Sequence, residues 1–415
     1  IKSYPQTFNH GTVSSKLCYS IHGYSRHLPT PFQQSSIYKI AVTGGPSAGK
    51  TTAMEILEKF FKDHGCEVYL VPEAATELQK MGFSFPKLSA DRKYNFQKEL
   101  INMILYLEGA LLRVIGKPEG RDIIIIMDRG VMDPSAYSSP EEWSAILKDL
   151  GLNEFELKHT RYDHVVHMVT AAEGAPNAYT LETNAVRVET AEQARDIDHK
   201  TRQAWIGHQY FDIVDNSGTT NIHDKVNKVI QVICDRMGIP GQVAVPSNKR
   251  KWLIEEVDWK NFGVFEEFHT KHIYLVSHEP QVQERIRRRT KAGQSTYTLT
   301  RREYNKDCSG YREKRTSCSE AEYNDSLKMK DRKRSSIYKR RRCFVYETMS
   351  FNLDLYCTPL PPRAHGVPYL VLEAFTNIPK GTSLPVGSVP PFLRIAKEIT
   401  DNSEYSMFRL AEYSS

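Results

Sequence analysis

The chain has 415 residues and is 40% hydrophobic, enough to build two or three folded domains and too apolar to be disordered throughout. No apolar run approaches the length of a membrane-spanning helix, which points to peripheral membrane contact at most. The net charge of +6 is unevenly spread: Gln281 to Arg342 carries 20 Lys and Arg against 8 Asp and Glu, so the rest of the chain is net acidic and the basic stretch asks for an anionic partner.

Residues 1–36 contain no Asp or Glu and are rich in Ser, Gln, His and Tyr. They read as a disordered basic tail, with a mitochondrial transit peptide as the alternative. The 7 cysteines form no Cys-x-x-Cys pair and read as reduced thiols of a cytoplasmic protein.

Ile37 to Val42 alternates as a β-strand, and Gly44-Gly45-Pro46-Ser47-Ala48-Gly49-Lys50-Thr51 follows it directly. That spacing is a complete P-loop. Glycines let the backbone close around phosphate, and a helix starting at Lys50 aims its N-terminus at the same point. Lys50 is placed for the β- and γ-phosphates, the Thr51 hydroxyl for Mg²⁺, and Thr52 continues the first turn. The helix shows an apolar face of Ile56, Leu57, Phe60 and Phe61, and Gly65 stops it.

Glu67 to Val71 reads as a second strand, ending at Pro72 and Glu73. Glu73 is open to three readings: facing an acceptor, facing a metal-bound water, or a charge at a helix N-terminus. Ser89 is placed to cap a long helix through Leu112, with Phe96, Leu100, Met103, Ile104 and Leu107 as its buried stripe. Ile123 to Met127 is an unbroken β-branched run, the mark of a central parallel strand. Asp128 at its exit is placed to hold Mg²⁺ through water, and Asp128-Arg129 resembles the Asp-Arg signature of P-loop nucleoside and nucleotide kinases. Val165 to Val169 and Phe211 to Val214 read as further strands, and Gln193 to Tyr210 and Thr220 to Met237 as helices. Arg187, Arg195 and Arg202 fall where such kinases carry a lid and are candidates to clamp phosphate. Asp215-Asn216 falls near the expected base pocket, and the choice between GTP and ATP stays open on residues alone. Residues 37–240 thus predict a doubly wound α/β P-loop domain.

Gly238 to Ser247 reads as a linker. From 246 to about 400 short strands follow one another, predicting an antiparallel β-barrel or sandwich with a mobile insertion near 307–336 and a tail at 401–415. Arg285, Arg287 and Arg289 alternate on one strand, Arg301 ends another, and Lys339 and Arg341 alternate on a third. Facing the inside of a barrel, they would line a phosphate pocket.

The series Lys251-Trp252-Leu253-Ile254, Arg285-Ile286-Arg287, Leu299-Thr300-Arg301, Lys339-x-Arg341, Asp354 and Leu372-Glu373-Ala374-Phe375 resembles the CYTH, or triphosphate tunnel, proteins. Those enzymes open on a Glu-x-Glu-x-Lys strand and hold a metal with further glutamates. Here the two opening positions hold Ser247 and Lys249, and only Glu373 remains on the last strand. The cations persist without the carboxylates, so the expected module binds phosphate without metal-dependent triphosphatase activity. With Val42-Thr43-Gly44-Gly45-Pro46-Ser47, Pro72-Glu73-Ala74-Ala75-Thr76 and Met127-Asp128-Arg129-Gly130, the order of the two domains resembles the TRPL translocation defect protein family. The P-loop part also resembles AAA-type ATPases grouped with bacterial nicotinamide-riboside kinases. The resemblance implies GTP as the nucleotide, phosphoinositides such as phosphatidylinositol 3-phosphate as membrane partners, and a role in moving membrane proteins. A kinase acting on a small nucleoside-like metabolite is the rival expectation, and a nucleic-acid binder ranks last because no aromatic base-stacking motif accompanies the basic stretch.

Overall fold

The computed structural model describes residues 36–175, 190–237, 248–304, 311–364, 369–376, 378, 382–385 and 387–413. Its first part runs β1 (Ile37–Gly44), α1 (Lys50–Asp63), β2 (Glu67–Val71), α2 (Ala74–Lys80), α3 (Ala90–Ile115), β3 (Ile123–Asp128), α4 (Pro140–Asp149), α5 (Glu154–Thr160), β4 (His164–Met168), α6 (Ala191–Ala204), β5 (Phe211–Val214) and α7 (Ile222–Met237). The five strands form one parallel sheet in the order β2-β3-β1-β4-β5. β1 is central, so the loop after it opens at the carboxyl edge of the sheet, where ligands bind in such folds.

Hydrophobic periodicity explains the layers. Ile123 to Met127 are all at most 3% exposed, because both sheet faces are covered. One face packs on α1 and α7 through Leu57, Phe61, Val229 and Ile233; the other packs on α3 and α4 through Leu100, Ile104 and Trp143. On α3, Phe96, Leu100 and Ile104 are buried as the stripe required, while Met103 and Leu107 are only half-buried. Ser89 does stand at the N-cap of α3, but its side chain makes no capping bond. α2, α4 and α5 went unseen in the sequence; α2 and α5, of seven residues each, are too short for two turns of apolar period. α6 stops at Ala204, six residues before the expected end, because Gly207 adopts φ 100°.

The second part runs β6 (Asn248–Val257), β7 (Phe265–Leu275), β8 (Val282–Lys291), β9 (Gln294–Tyr304), β10 (Tyr311–Cys318), α8 (Glu320–Ser326), β11 (Ile337–Tyr346), β12 (Met349–Tyr356), β13 (Leu370–Thr376), β14 (Leu393–Glu398) and α9 (Met407–Leu410). It is one nine-stranded antiparallel sheet, β10-β9-β8-β7-β11-β12-β13-β6-β14. Side chains from eight of these strands line a single cavity, so the sheet curls into a tunnel with β10 and β14 as its edges. The expectation of a barrel or sandwich resolves into this open, curled form.

Two expectations are corrected here. The stretch expected as a mobile insertion is ordered wherever it is described. β10 pairs along β9 from Tyr311↔Tyr304 to Cys318↔Tyr297, a Ser319–Glu322 capping box starts α8, and Tyr323 packs with Ile273 and Ile286. Its charges fooled composition because the inward side chains of β10 are themselves charged. The expected C-terminal tail is folded too: Leu410 and Ala411 are buried, and Tyr405, Met407 and Phe408 pack with them against Tyr274 and Tyr369. A four-residue helix leaves no periodic signal. The expected N-terminal tail and linker lie outside the described residues.

Candidate functional site

The P-loop is shaped by close packing that only glycine permits. Gly44 has φ 144°, and a Cβ there would sit 2.1 Å from the Met168 carbonyl oxygen. A Cβ on Gly45 would come within 2.7 Å of Asp198. Gly49 is left-handed at φ 87° and opens α1. Lys50 curls back, its Nζ donating to the carbonyls of Gly44 and Gly45 at 3.1 Å each, while Thr51 and Thr52 are exposed on the first turn. Burial, reinforced by Arg129, lowers the Lys50 pKa to about 8 against the pull of Asp128 and Glu73. Pro46 and Ala48 are held from outside the loop: Thr170 Oγ1 donates to the Pro46 carbonyl at 2.5 Å, and Lys225 Nζ donates to the Ala48 carbonyl at 3.1 Å.

Asp128, Arg129 and Glu73 come together beside the P-loop. Arg129 takes a left-handed φ of 73°, which turns its guanidinium inward. Nε then donates to Glu73 Oε1 at 2.5 Å and Nη1 to the Gly44 carbonyl at 3.1 Å. Burial would raise the Glu73 carboxyl, but Arg129 and Lys50 outweigh it and hold the pKa at about 2. Asp128 goes the other way: burial raises it, with Lys50 opposing, and its buried Oδ1 has no hydrogen-bond partner. An unbonded carboxylate oxygen near Lys50, with an exposed Thr51 hydroxyl on the first turn of α1, suits a hydrated Mg²⁺. Thr51 and Asp128 are the residues that would hold it, and the ion would supply charge to phosphate oxygens.

The sequence reading missed the second row of this site. Asp133, 1% exposed, accepts from Thr43 Oγ1 and from Trp205 Nε1, both at 2.6 Å. Asp198, fully buried, accepts from the backbone N–H of Gly45 at 2.9 Å and of Thr170 at 2.8 Å, with His167 and Arg202 at 3.0 and 2.8 Å on its other oxygen. These partners overcome its burial and keep it ionised. Nothing in the sequence marks either aspartate, since both act through long-range contacts. Of the lid arginines, Arg202 is thus committed to Asp198 and Glu173, Arg195 donates to the Ala172 carbonyl at 3.2 Å, and Arg187 lies outside the described residues. Asn216 spends its amide on the carbonyls of Thr170 and Glu173, and Asp215 pairs with Lys228 at 3.2 Å.

The tunnel encloses a cavity of about 290 Å³. Among the described residues nine Lys and Arg line it, against one carboxylate, Glu373. Strand parity decides which side chains enter. Arg285 and Arg287 enter from β8, Arg302 from β9, Arg315 from β10, Lys339 and Arg341 from β11, and Lys249 and Lys251 from β6. Arg301, expected inside, is corrected to the outer face, where Glu279, Glu284 and Glu303 hold it at 2.9, 3.1 and 2.8 Å. The inward residue is its neighbour Arg302, in step with Thr296, Thr298 and Thr300 opposite the β8 arginines. That run of threonines was the signal available in the sequence. Arg315 was hidden in the stretch taken for an insertion.

Counter-charge is unevenly shared: Glu313 pairs with Arg302 and Arg315 and Glu412 with Arg409, whereas Arg285 and Arg287 have no carboxylate partner among the described residues. Arg285, Arg287, Arg289 and Arg315 each keep a buried Nε–H without a partner. Burial and then the neighbouring Arg289 press the Arg287 pKa well below its usual value, and burial and Arg341 bring Arg289 to about 9. Arginine nevertheless stays protonated in water-exposed proteins at neutral pH, so this strain is a demand for anions. The carboxylates are already taken. Asp354 accepts from Lys339 at 2.5 Å and Arg341 at 2.6 Å; Glu373 meets Lys249 at 2.8 Å and Arg341 at 3.0 Å. Lys249 thus occupies Glu373, the carboxylate that lines the cavity. Among the described residues no three His, Cys, Asp or Glu converge as a metal site.

A family model described as an AAA domain matches residues 39–222, under half of the chain, and a nucleotide-binding AAA-like domain is present there. No curated protein matches the sequence. Among solved structures, the inorganic triphosphatase NE1496 is 16% identical over 40% of this chain and 93% of its own, with a TM-score of 0.28. The PH1819 protein from Pyrococcus horikoshii OT3 is 14% identical over 31% of this chain and 77% of its own, with a TM-score of 0.24. At those scores the likeness carries no argument about this chain.

Proposed function

We propose that this chain is a GTP-binding regulatory protein whose basic tunnel binds phosphoinositide phosphates, and that it works in the trafficking of membrane proteins. The observation that carries the reading is the tunnel lining: among the described residues nine cations face one carboxylate, and that carboxylate is already paired. Such a lining favours holding phosphate oxygens over positioning a metal for hydrolysis. The P-loop domain supplies the regulatory half. Lys50 and the N-terminus of α1 receive the triphosphate, Thr51 and Asp128 are placed for Mg²⁺, and Arg129 braces the loop through Glu73 and Gly44. GTP is the nucleotide implied by the resemblance, with ATP as its competitor. The TRPL translocation defect and CYTH resemblances support this assignment on sequence motifs alone.

Flotation with liposomes tests the lipid arm. Recovery that rises with phosphatidylinositol 3-phosphate and falls with added salt supports it; equal recovery on neutral lipid sinks it. Calorimetry with GTP and ATP tests the nucleotide arm, and ATP binding without GTP binding would replace GTP in the reading.

One observation favours a second reading, a kinase for a small nucleoside-like acceptor. The unbonded Asp128 Oδ1, next to the Glu73–Arg129 pair, is where an acceptor hydroxyl would find a base. Transfer of the γ-phosphate to a small acceptor would decide for the kinase, whereas slow hydrolysis alone would decide for the regulator.

A further inference from the structure

The tunnel is not built by the β domain alone. Gln209 and Tyr210 belong to the short segment between α6 and β5, yet both line the tunnel cavity. Gln209 Oε1 accepts from Arg287 Nη2 and, at 3.4 Å, from Arg289 Nη2. The remaining partners of these two arginines are also neutral: Thr298 Oγ1 at 3.1 Å from Arg287, and His159 Nδ1 at 2.9 Å from Arg289. His159 also belongs to the P-loop domain, on α5, and burial keeps it uncharged at neutral pH. Two buried guanidinium groups, 7% and 2% exposed, therefore carry full charge against uncharged acceptors.

A phosphate oxygen is a stronger acceptor than an amide for the same N–H groups, because it brings the missing charge. The donors that face Gln209 cannot serve both in full. We propose that Gln209 is a built-in competitor for the anionic ligand of the tunnel, the residue through which the P-loop domain sets the affinity of the β domain for phosphate. This rests on reading the tunnel as a phosphate site.

The segment that carries Gln209 is anchored on both sides of the P-loop. Upstream, α6 is tied to Gly45 by Asp198 at 2.9 Å. Trp205, fully buried, is bonded to Asp133, which in turn holds Thr43 at the end of β1. Gly207 has no room to relax the turn, since a Cβ there would meet Glu266 at 2.4 Å. Displacing Gln209 from Arg287 thus works against a segment fixed to the nucleotide-binding loop, and the amide is held in the tunnel by the other domain. Tyr210 adds a fixed wall beside it, with the Arg315 guanidinium 4.4 Å over its ring.

The test is calorimetric titration of the full chain with inorganic tripolyphosphate. A Lys50→Ala background removes the hold of the P-loop on the same probe. In that background Gln209→Ala is expected to tighten tripolyphosphate about tenfold, because the ligand no longer displaces an acceptor. Gln209→Glu is expected to weaken it by a similar factor, because a carboxylate competes harder and repels the ligand. Both substitutions are at a half-buried side chain, so either can carry the result if the other misfolds. Equal affinity across the set overturns the competitor and leaves the tunnel reading standing. Weaker binding in Gln209→Ala also overturns it, since Gln209 would then be a direct ligand. No binding by any of the three proteins overturns the tunnel reading itself.

Discussion

The P-loop region and the basic tunnel arrange their charges in opposite ways. In the P-loop domain the cations are settled one by one, Lys50 on two carbonyls, Arg129 on Glu73 and Arg202 on Asp198, and the open group is an acceptor, Asp128 Oδ1. A P-loop of this kind offers phosphate its backbone N–H groups and a helix N-terminus. In the tunnel most lining cations share a few carboxylates, and Arg285 and Arg287 have no carboxylate partner among the described residues. Cations crowd one cavity, three of its arginines (Arg285, Arg287 and Arg315) keep a buried N–H without a partner, and the carboxylates are shared among several cations. A site built on backbone geometry tolerates emptiness; a site built on crowded side-chain charge is tuned to one class of ligand and depends on neighbours to restrain it.

Four experiments would break or sharpen that contrast. The largest effect is expected for Lys50→Ala, which should weaken nucleoside triphosphate binding by more than about 100-fold in calorimetry while leaving tunnel binding of inorganic phosphates intact. Loss of both together would mean the regions are not separate sites. Next comes Arg287→Ala, expected to weaken tripolyphosphate in the tunnel by about 10- to 100-fold with nucleotide affinity unchanged. An unchanged tunnel affinity would deny Arg287 a role.

The third concerns pH. Burial, only partly offset by Glu373, lowers the Lys249 pKa to about 7 from the usual 10.5. Below about 7 the lysine is charged and attracts the ligand, so tunnel affinity should fall by a few-fold as pH rises from about 6 to 8. Lys249→Met should flatten that slope. The stability contribution of the same group has the opposite sign. Between about 7 and 10.5 the unfolded chain holds the proton and the folded chain does not, so stability from this residue rises with pH across that window and is lost as pH falls through about 7. The smallest effect is expected for Arg301→Ala. Its guanidinium sits among three carboxylates on the outer face, so tunnel affinity should not change and stability should shift by about 1 kcal/mol or less. A clear loss of tripolyphosphate binding would put Arg301 back inside the site.

The P-loop was legible because every part of it lies within eight consecutive residues, and because a β-branched strand and an amphipathic helix flank it. Asp128, Arg129 and Glu73 were legible for the same reason: each ends a strand that the apolar pattern reveals, and strands of a parallel sheet deliver their exits to one edge. The tunnel was half legible. Alternation gave Arg285, Arg287, Lys339 and Arg341 correctly, but on β9 the choice between Arg301 and Arg302 is a choice of face, and only register against β8 settles it. β10 was lost because its charges resemble those of a solvated loop.

What the sequence determined by itself was the presence of a P-loop on an α/β sheet, a following antiparallel region, and an excess of cations in that region. Those features depend on spacing along the chain and on side-chain period. What the tertiary structure alone decided was which cations share a cavity, that Lys249 pairs with Glu373, that Asp133 and Asp198 brace the loop, and that Gln209 reaches from one domain into the other. Each of these joins residues tens to more than a hundred positions apart, and no local pattern records a contact whose partners are brought together only by folding.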